Sequence, residues 1–435
     1  LALIALVMTQ EEMTKVIMEI QEVIIQKLDI NSSISDQTIL SLIEESVLRF
    51  AHTVYLSMDE KKEVIQRTFY AIRKLDVLQE ILEDQEITEI MVNGPDQIFI
   101  EKQGRLEPYP KKFLSKEKLE DVIQQIVGKV NRTVNESSPI VDVRLQDGSR
   151  VNVVLPPVAI NGPIVTIRKF PADPITMEYL VSIQSITMQA AEFLKKLVQA
   201  KYNIFISGGT GSGKTTFLNA LSAYIPKEER IITIEDSAEL QIQNIPNLVR
   251  LEVRNANLEG KNEVTIRDLI RSALRMRPDR IILGEVRDAA AYDLLSVMNT
   301  GHDGSLSTGH ANSPNDMLKR LEALVLTAVD IPLLAVRSQI ASAIDIVVQL
   351  GRLRDRSRKV LEIDEMIGMD GTEIIMKPLY CFKEQGEDEK GNVIGQLAAT
   401  PNALYHIQKL KAAGMELPEL SDGYRAEKGD DYAER

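Results

Sequence analysis

The sequence contains a single cysteine, Cys381, and no tryptophan among its 435 residues. One cysteine excludes an internal disulfide and any zinc site built from several cysteines, which is typical of proteins that fold in a reducing cytoplasm. Long hydrophobic runs are also missing, because the opening stretch from Leu1 to Met8 has only eight residues and a membrane-spanning helix needs about 20. We therefore expect no direct membrane span, and a membrane role would run through a partner.

The opening stretch also differs from a signal peptide. It has no basic residue before it and no cleavage-type sequence after it. Because Met8, Thr9 and Gln10 read like a natural start, we expect residues 1–7 to precede that start.

Positive charge is in the minority, with 51 basic against 64 acidic side chains and a net charge of -13. An acidic chain is poorly suited to coating nucleic acid, although this net charge does not exclude a local basic groove. We therefore predict no nucleic-acid partner. The length and an apolar content of 44% favour two or three domains with real cores.

Hydrophobic periodicity divides the chain into four parts. Apolar residues at helical spacing, such as Val16, Ile20 and Ile24, predict a three-helix module over residues 9–75, with a break at residues 31–33. Short β-type runs at 87–92, 98–101, 151–155 and 164–169, with one helix near 116–131, predict a small α+β domain over residues 76–172. The prolines in residues 171–176 indicate a hinge.

Strand-like and helical runs then alternate from Met177 onward. This alternation is typical of an α/β domain in which helices cover a parallel sheet, and we assign it residues 173–417. Residues 418–435 are polar and poor in aromatics, so we expect a loose tail.

A complete P-loop pattern follows the apolar run 203–207 and precedes a helical run. Its glycines let backbone N–H groups point at phosphate oxygens, Lys214 neutralises phosphate charge, and the Thr215 hydroxyl is the predicted Mg²⁺ ligand. A plain glycine-rich turn is the alternative, and a dinucleotide fingerprint fails because Lys214 stands where its third glycine should be. The sequence therefore predicts ATP and Mg²⁺ as cofactors. The predicted contact residues are Gly208, Gly209, Thr210, Gly211, Ser212, Gly213, Lys214, Thr215 and Thr216.

A carboxylate follows a second apolar run, 280–283, at Gly284-Glu285. Ligands of open α/β sheets bind at the carboxyl ends of strands, so Glu285 is the candidate that polarises the attacking water. The alternative is an ordinary solvated glutamate at a strand end.

A third apolar run ends in the acids Glu235, Asp236 and Glu239. Three carboxylates there would give outer Mg²⁺ contacts and a second hold on the water, and Asp236 and Glu239 are catalytic candidates. Acids that favour a helix N-terminus are the alternative.

Two of the four histidines, His302 and His310, flank the polar segment 301–313. We interpret the segment as a γ-phosphate sensor with His310 as the candidate residue, against a purely structural role for either histidine. Metal binding is disfavoured because further ligands are missing.

Arg267, Arg271 and Arg275 recur at helical spacing, with Arg277 and Arg280 just beyond them. They predict a basic face that is either solvated or a partner contact. Because Arg277 leads into the Glu285 run, it is also a candidate phosphate contact.

Four segments, GGTGSGKTT at 208–216, ITIEDSAEL at 232–240, RMRPDRIILGEVRD at 275–288 and GHDGSLSTGHANS at 301–313, together resemble the type II/type IV secretion ATPase superfamily. They correspond to its Walker A, Asp box, atypical Walker B and His box. ITEIMVNGPDQIFIE at 87–101 and VDVRLQDGSRVNVVLPP at 141–157 are similar to the N-terminal domain of its Tad pilus branch, the CpaF-like motors.

The resemblance implies a RecA-like P-loop domain preceded by a small PAS-like α+β domain and a helical module. It also implies a hexameric ring with ATP held between the two domains and arginines supplied by the N-terminal one. Arg150 and Arg168 match those arginines, and Arg144 matches less well. The single cysteine excludes the tetracysteine zinc module of the general secretory branch, and a retraction-type C-terminal signature is missing, which favours the Tad-like branch.

The resulting hypothesis is a cytoplasmic hexameric ATPase, peripheral at the inner membrane, that drives pilus assembly through inner-membrane platform proteins. A nucleic-acid translocase on the same fold and a nucleotide-controlled scaffold with little turnover are the alternatives. Stimulation of the ATPase rate by DNA or RNA would distinguish a translocase from the pilus motor. A turnover assay would distinguish a scaffold, which hydrolyses little ATP, from the motor.

Overall fold

The computed structural model describes residues 8–27, 34–102, 104–145, 147–170, 174–254, 256 and 261–416. The expected early residues 1–7, the helix break at 31–33, the first part of the hinge at 171–173 and the polar tail at 418–435 lie outside the described residues. The chain divides into two compact units, Leu1–Ala172 and Asp173–Arg435.

Three amphipathic helices open the first unit, and a short fourth helix follows them. Ile17, Ile43 and Val64, one from each of the three helices, are buried in one apolar cluster. The third helix begins with a capping box formed by Ser57 and Glu60, which satisfies backbone N–H groups at its start. The helices are α1 (Gln10–Lys27), α2 (Asp36–Phe50), α3 (Met58–Arg73) and α4 (Val77–Glu83).

A six-stranded antiparallel sheet and one helix complete the first unit. The elements are β1 (Ile87–Asn93), β2 (Ile98–Lys102), β3 (Arg105–Pro108), α5 (Lys116–Gly128), β4 (Ile140–Arg144), β5 (Arg150–Val154) and β6 (Ile164–Arg168). The strand order is β3-β2-β1-β6-β5-β4. Alternate residues such as Val151 and Val153 are buried against the apolar side of α5. Sequence patterns predicted β1, β2, β5 and β6 but not β4 or the fully exposed β3.

Nine strands form one sheet in the second unit. They are β7 (Ile204–Gly208), β8 (Ile231–Glu235), β9 (Leu248–Glu252), β10 (Arg280–Leu283), β11 (Leu306–Gly309), β12 (Ile346–Arg352), β13 (Arg358–Asp370), β14 (Glu373–Glu387) and β15 (Val393–Ala399). The order is β15-β14-β13-β12-β7-β11-β10-β8-β9. Strands β7 to β12 pair in parallel, so their carboxyl ends meet at one edge with β7 between β11 and β12.

Helices cover both faces of this sheet. They are α6 (Met177–Ser182), α7 (Met188–Gln199), α8 (Lys214–Ser222), α9 (Ile266–Ala273), α10 (Ala290–Met298), α11 (Pro314–Ala328), α12 (Leu333–Ala343) and α13 (Gln408–Ala412). Ile206 packs into the cluster that includes α7 and α8, whereas Phe205 packs on the opposite face with α10 and α11. The predicted mixed α/β fold is confirmed. Within the described ranges, none of the helices combines the length and apolarity that a bilayer crossing needs.

The antiparallel strands β13 to β15 were not predicted from the sequence. Strand β13 carries the acids Asp364 and Glu365 at buried positions, which interrupts the apolar signal of a strand. Glu365 is satisfied there because its carboxylate accepts hydrogen bonds from the backbone N–H groups of Tyr405 and His406, both at 2.7 Å. Buried acids of this kind depend on contacts far along the chain.

Candidate nucleotide site

The P-loop joins β7 to α8 at the carboxyl edge of the parallel strands. All residues of β7 are buried, which fixes the strand end, and α8 begins at Lys214. Gly211 and Gly213 adopt left-handed backbone conformations with φ of +72° and +93°, which glycine tolerates and other residues resist. The free N–H groups at the start of α8 and its helix dipole favour an anion here.

Gly208 lies so close to its neighbours that no side chain fits. A Cβ on Gly208 would lie 2.5 Å from the Ser212 hydroxyl and 2.7 Å from the Leu350 carbonyl oxygen of β12. The loop therefore curls tightly and rests on the adjacent strand. With Lys214 and Thr215 at the first turn of α8, this cradle fits the phosphates of a nucleotide, with Thr215 as the residue that would hold Mg²⁺.

Lys214 is buried, and its ammonium group folds back onto the loop. Its Nζ donates to the carbonyl oxygens of Gly208 and Gly209 at 3.0 and 2.9 Å and lies 3.2 Å from His310 Nδ1. The lysine that the sequence assigns to phosphate is thus held inside the loop by three acceptors.

His310, just after β11, connects Lys214 to Glu285, just after β10. Its Nε2 lies 2.9 Å from Glu285 Oε1. Burial and the nearby Lys214 charge lower the pKa of His310 below its ordinary value, so the ring is neutral at neutral pH. A neutral ring that accepts from Lys214 at Nδ1 must carry its proton on Nε2, which donates it to Glu285. The structure thus brings together three residues that the sequence predicted separately.

Arg287 extends this chain of contacts, and sequence reasoning did not select it. Its Nη2 donates to Glu285 Oε2 at 2.5 Å, and its Nη1 lies 3.2 Å from Asp236 Oδ2, just after β8. The hydrogen bond with Glu285 and the charges of Glu285, Asp236 and Glu239 raise the pKa of Arg287 above its ordinary value. The sequence contained a signal for Arg287, because it lies two residues after Glu285 and residues two apart in an extended segment share a face.

Glu235 does not join the site carboxylates as the sequence predicted. Its side chain is buried, and Oε2 accepts from the backbone N–H groups of Glu239 and Leu240, both at 2.8 Å. Burial raises the pKa of Glu235 to about 7. Glu235 therefore shapes the turn that carries Asp236 and Glu239 rather than reaching toward the P-loop.

Two sequence-predicted residues lie at the opposite edge of the sheet. His302 precedes β11 and Arg277 precedes β10, whereas the P-loop follows β7 at the carboxyl edge. A strand of four residues spans about 13 Å, so neither side chain joins the P-loop cluster of its own subunit. Within one subunit the structure thus separates His302 from His310 and does not bring Arg277 to the P-loop, and the phosphate contact of Arg277 stays a prediction.

The predicted basic face is also different in the structure. Helix α9 ends at Ala273, before Arg275, and Arg267 and Arg271 lie 2.6 and 3.9 Å from Asp293 of α10. Arg280 is fully buried and bonds Glu229 through two nitrogens at 2.5 and 3.0 Å. Arg267, Arg271 and Arg280 are therefore engaged by acids of this chain, and no continuous basic helix face is present among the residues that the structure describes.

Three arginines of the first unit form a row across its sheet. The register pairs Arg144 of β4 with Arg150 of β5, and Arg150 with Arg168 of β6. Arg150 lies 3.6 Å from Asp142, and Arg168 lies 3.9 Å from Glu89. Such long, half-exposed ion pairs are weak, so these guanidinium groups are accessible to an anionic ligand.

Comparison with known proteins gives a family match and several relatives. Residues 73–410 match the family described as Type II/IV secretion system protein. The chain is 34% identical over 310 residues to the conjugal transfer protein TrbB of Rhizobium radiobacter, a match that covers 69% of this chain and 90% of that protein. It is 34% identical over 303 residues to the type IV secretion system protein VirB11 of Brucella suis, covering 63% and 84%. The X-ray structure of the Yersinia pseudotuberculosis ATPase DotB is similar in fold, with a TM-score of 0.51 and 19% identity over 67% of this chain and 78% of that one.

Proposed function

The chain belongs to the type II/IV secretion system protein family and is an ATP hydrolase, and from this premise we propose that it is the ring-forming motor of a Tad-type pilus. The observation that supports a working hydrolase is the line of contacts Lys214–His310–Glu285–Arg287–Asp236 at the mouth of the P-loop. It contains a phosphate-binding cation, a candidate base and the groups that orient both.

Each residue has a distinct task in this proposal. ATP with Mg²⁺ supplies the phosphoanhydride bond and a charge-neutralising ion when bound, and Thr215 would hold the ion. Lys214 exchanges its loop carbonyls for phosphate oxygens, because both are hydrogen-bond acceptors and the phosphate carries charge. Glu285 accepts the proton of the attacking water as general base.

His310 couples these two events. The neutral ring holds Lys214 with one nitrogen and Glu285 with the other, at 3.2 and 2.9 Å. When Lys214 moves to phosphate, Nδ1 of His310 loses its donor and the ring is free to turn. We propose that this turn releases Glu285 toward the water, so that the base acts only when phosphate is present.

Two kinds of evidence support the proposed biological role. The named relatives act in conjugal transfer and type IV secretion, which supports a secretion-type motor. The pilus role rests on the similarity of residues 87–101 and 141–157 to the Tad branch and on the helices that precede them. In this proposal the chain is cytoplasmic, assembles as a homo-hexamer and pushes on inner-membrane platform proteins. The RecA-like and PAS-like assignments of its domains belong to the same proposal.

The arginine row of the first unit provides the test of the ring. A guanidinium on phosphate compensates charge that builds during transfer, so Arg150→Ala and Arg168→Ala should each lower turnover by about 100-fold with the fold intact. Arg105→Ala, on the exposed strand β3, is the matched control. Turnover per subunit should also fall on dilution into monomers that mass measurement verifies.

Wild-type turnover in both arginine variants, or constant activity through dilution, would contradict a shared site in a ring. Several-fold stimulation by DNA or RNA would instead favour a translocase. Loss of surface pili in cells that carry Lys214→Ala tests the pilus role, and unchanged piliation would contradict it.

A further inference from the structure

An arginine-rich hairpin borders the P-loop on the side opposite Glu285. Strand β12 pairs with β7 so that Leu350 lies beside Gly208, and a hairpin at residues 353–357 then joins β12 to β13. Four exposed arginines alternate along this hairpin and its flanks. They are Arg352, Arg354, Arg356 and Arg358.

Internal hydrogen bonds hold the hairpin in place. The Leu353 backbone N–H donates to the Ser357 carbonyl oxygen at 2.8 Å. The Asp355 carboxylate accepts from the backbone N–H groups of Ser357 at 2.9 Å and Val393 at 2.8 Å. Side chains of this hairpin are therefore presented from an ordered backbone, which lowers the entropy that binding costs.

Arg358 is the member of the group that lies against the P-loop. A Cβ placed on Gly213 would lie 3.5 Å from Arg358 Cδ, so the arginine side chain runs past the last glycine of the loop. Its own backbone is fixed, because the Ser185 hydroxyl donates to the Arg358 carbonyl oxygen at 2.7 Å. The adjacent Lys359 is buried and donates to the Gln184 carbonyl oxygen at 2.8 Å.

The guanidinium of Arg358 differs from that of its neighbour Arg354 in its contacts within the described ranges. Arg354, four residues away, bonds both Glu384 and Glu387. In the part of the chain that the structure describes, no hydrogen bond or ion pair reaches the guanidinium of Arg358 or that of Arg356. Arg358 therefore presents five N–H donors beside a loop whose backbone favours an anion.

We propose that Arg358 is a nucleotide-binding residue that contacts the phosphates common to ADP and ATP. The inference rests on the proposed ATPase function, and it adds a residue on the β12 side of the P-loop to the nucleotide site. Backbone N–H groups of a P-loop hold the α- and β-phosphates, whereas its lysine reaches toward the γ-phosphate. Because Arg358 lies at Gly213 on the β12 side of the loop, whereas His310 follows β11 on the other side, the proposal places its guanidinium on the two inner phosphates.

The test compares nucleotide binding and turnover in the full chain. Arg358→Ala should weaken binding of both ADP and ATP with Mg²⁺ by the same factor, about tenfold, since one charge-assisted hydrogen bond is lost. The turnover number at saturating ATP should stay within about twofold, because Arg358 does not face the attacked phosphate. Arg358→Lys should recover part of the affinity, and Arg356→Ala is the matched control with unchanged constants.

Unchanged affinity for both nucleotides in Arg358→Ala would overturn the proposal. Weakened binding of ATP alone would also overturn it, because that result places the guanidinium on the γ-phosphate. A wild-type chain that fails to hydrolyse ATP would count against the proposed function, whereas the ADP measurement decides on Arg358 without any hydrolysis. A thermal unfolding curve that matches the wild type shows that the variant is folded.

Discussion

On the β11 side of the P-loop the charged side chains bond to one another, whereas on the β12 side Arg358 extends without a partner among the described residues. Lys214, His310, Glu285 and Arg287 form one connected line, and each must break a contact before it can serve a substrate. Arg358 breaks none. We therefore expect the β11 side to govern turnover, with Lys214 serving both turnover and affinity, and the β12 side to govern affinity alone.

The largest expected effect is the loss of turnover in Glu285→Gln, a variant that separates turnover from nucleotide affinity. Glu285→Gln keeps the shape and the hydrogen-bonding capacity but removes the base, so turnover should fall by about 10²–10⁴-fold. Binding of ATP with Mg²⁺ should persist, because the phosphate cradle is untouched. Nucleotide binding and phosphate release measured on the same preparation check this outcome.

Lys214→Ala is the reference for that experiment, since it should lose both affinity and turnover. Phosphate release near the wild-type rate in Glu285→Gln would show that Glu285 is not the catalytic carboxylate. The role would then pass to Glu239 or Asp236 at the end of β8.

A smaller effect should follow from Arg287→Ala, which removes a positioning residue rather than a base. Without the 2.5 Å bond to Arg287, Glu285 samples more orientations, and turnover should fall by about tenfold. The affinity for ADP should not change.

Arg287→Lys should restore part of the rate by restoring the charge. Arg267→Ala is the matched control, because it removes a comparable ion pair, at 2.6 Å from Asp293, that lies outside the P-loop contacts. An Arg287→Ala enzyme with weaker ADP binding and normal turnover would place Arg287 on the affinity side and break the comparison.

The smallest effect concerns stability and comes from Glu235 beneath the β11 side. Its folded pKa of about 7 exceeds its ordinary value of 4.5, so the folded state binds more protons between these values. Its contribution to stability is therefore present below pH 4.5 and is lost as pH rises through 7. Glu235→Gln should remove this loss. From pH 5 to pH 8 the free energy of unfolding of the variant should therefore rise, relative to that of the wild type, by on the order of 3 kcal/mol.

Urea unfolding at several pH values measures this difference. Exposed Glu228→Gln is the control and should follow the wild type across the range. A difference between Glu235→Gln and wild type that does not vary with pH would show that Glu235 is ionised at neutral pH in the folded chain.

The parts of the site that follow from the sequence are those defined by short local patterns. The P-loop is contiguous, and Glu285 and Asp236 each follow an apolar strand, so their common edge follows from parallel pairing. The contacts of His310 depend on side-chain directions, which no spacing rule supplies. The sequence therefore predicts that Glu285 and Asp236 lie at the edge that carries the P-loop, but not how these residues bond.

The polar segment 301–313 shows one limit of the sequence patterns. It was interpreted as a single sensor segment, but its middle is strand β11, which sends its two ends to opposite edges of the sheet. Short polar strands such as LSTG give little apolar signal. Arg358 was missed for a different reason, because its place beside Gly213 arises from the β7–β12 pairing between distant segments.

The close contact of Gly208 with β12 links the nucleotide loop to strands that carry a spectroscopic handle. Gly208 pairs with Leu350 of β12, β12 pairs with β13, and Glu362 of β13 lies opposite Cys381 on β14. Burial raises the pKa of Cys381, so its thiol labels best in alkaline buffer. Since the chain contains no other thiol, a single dye attached there would report, without any engineering, whether nucleotide binding at the phosphate loop changes the surroundings of the outer strands.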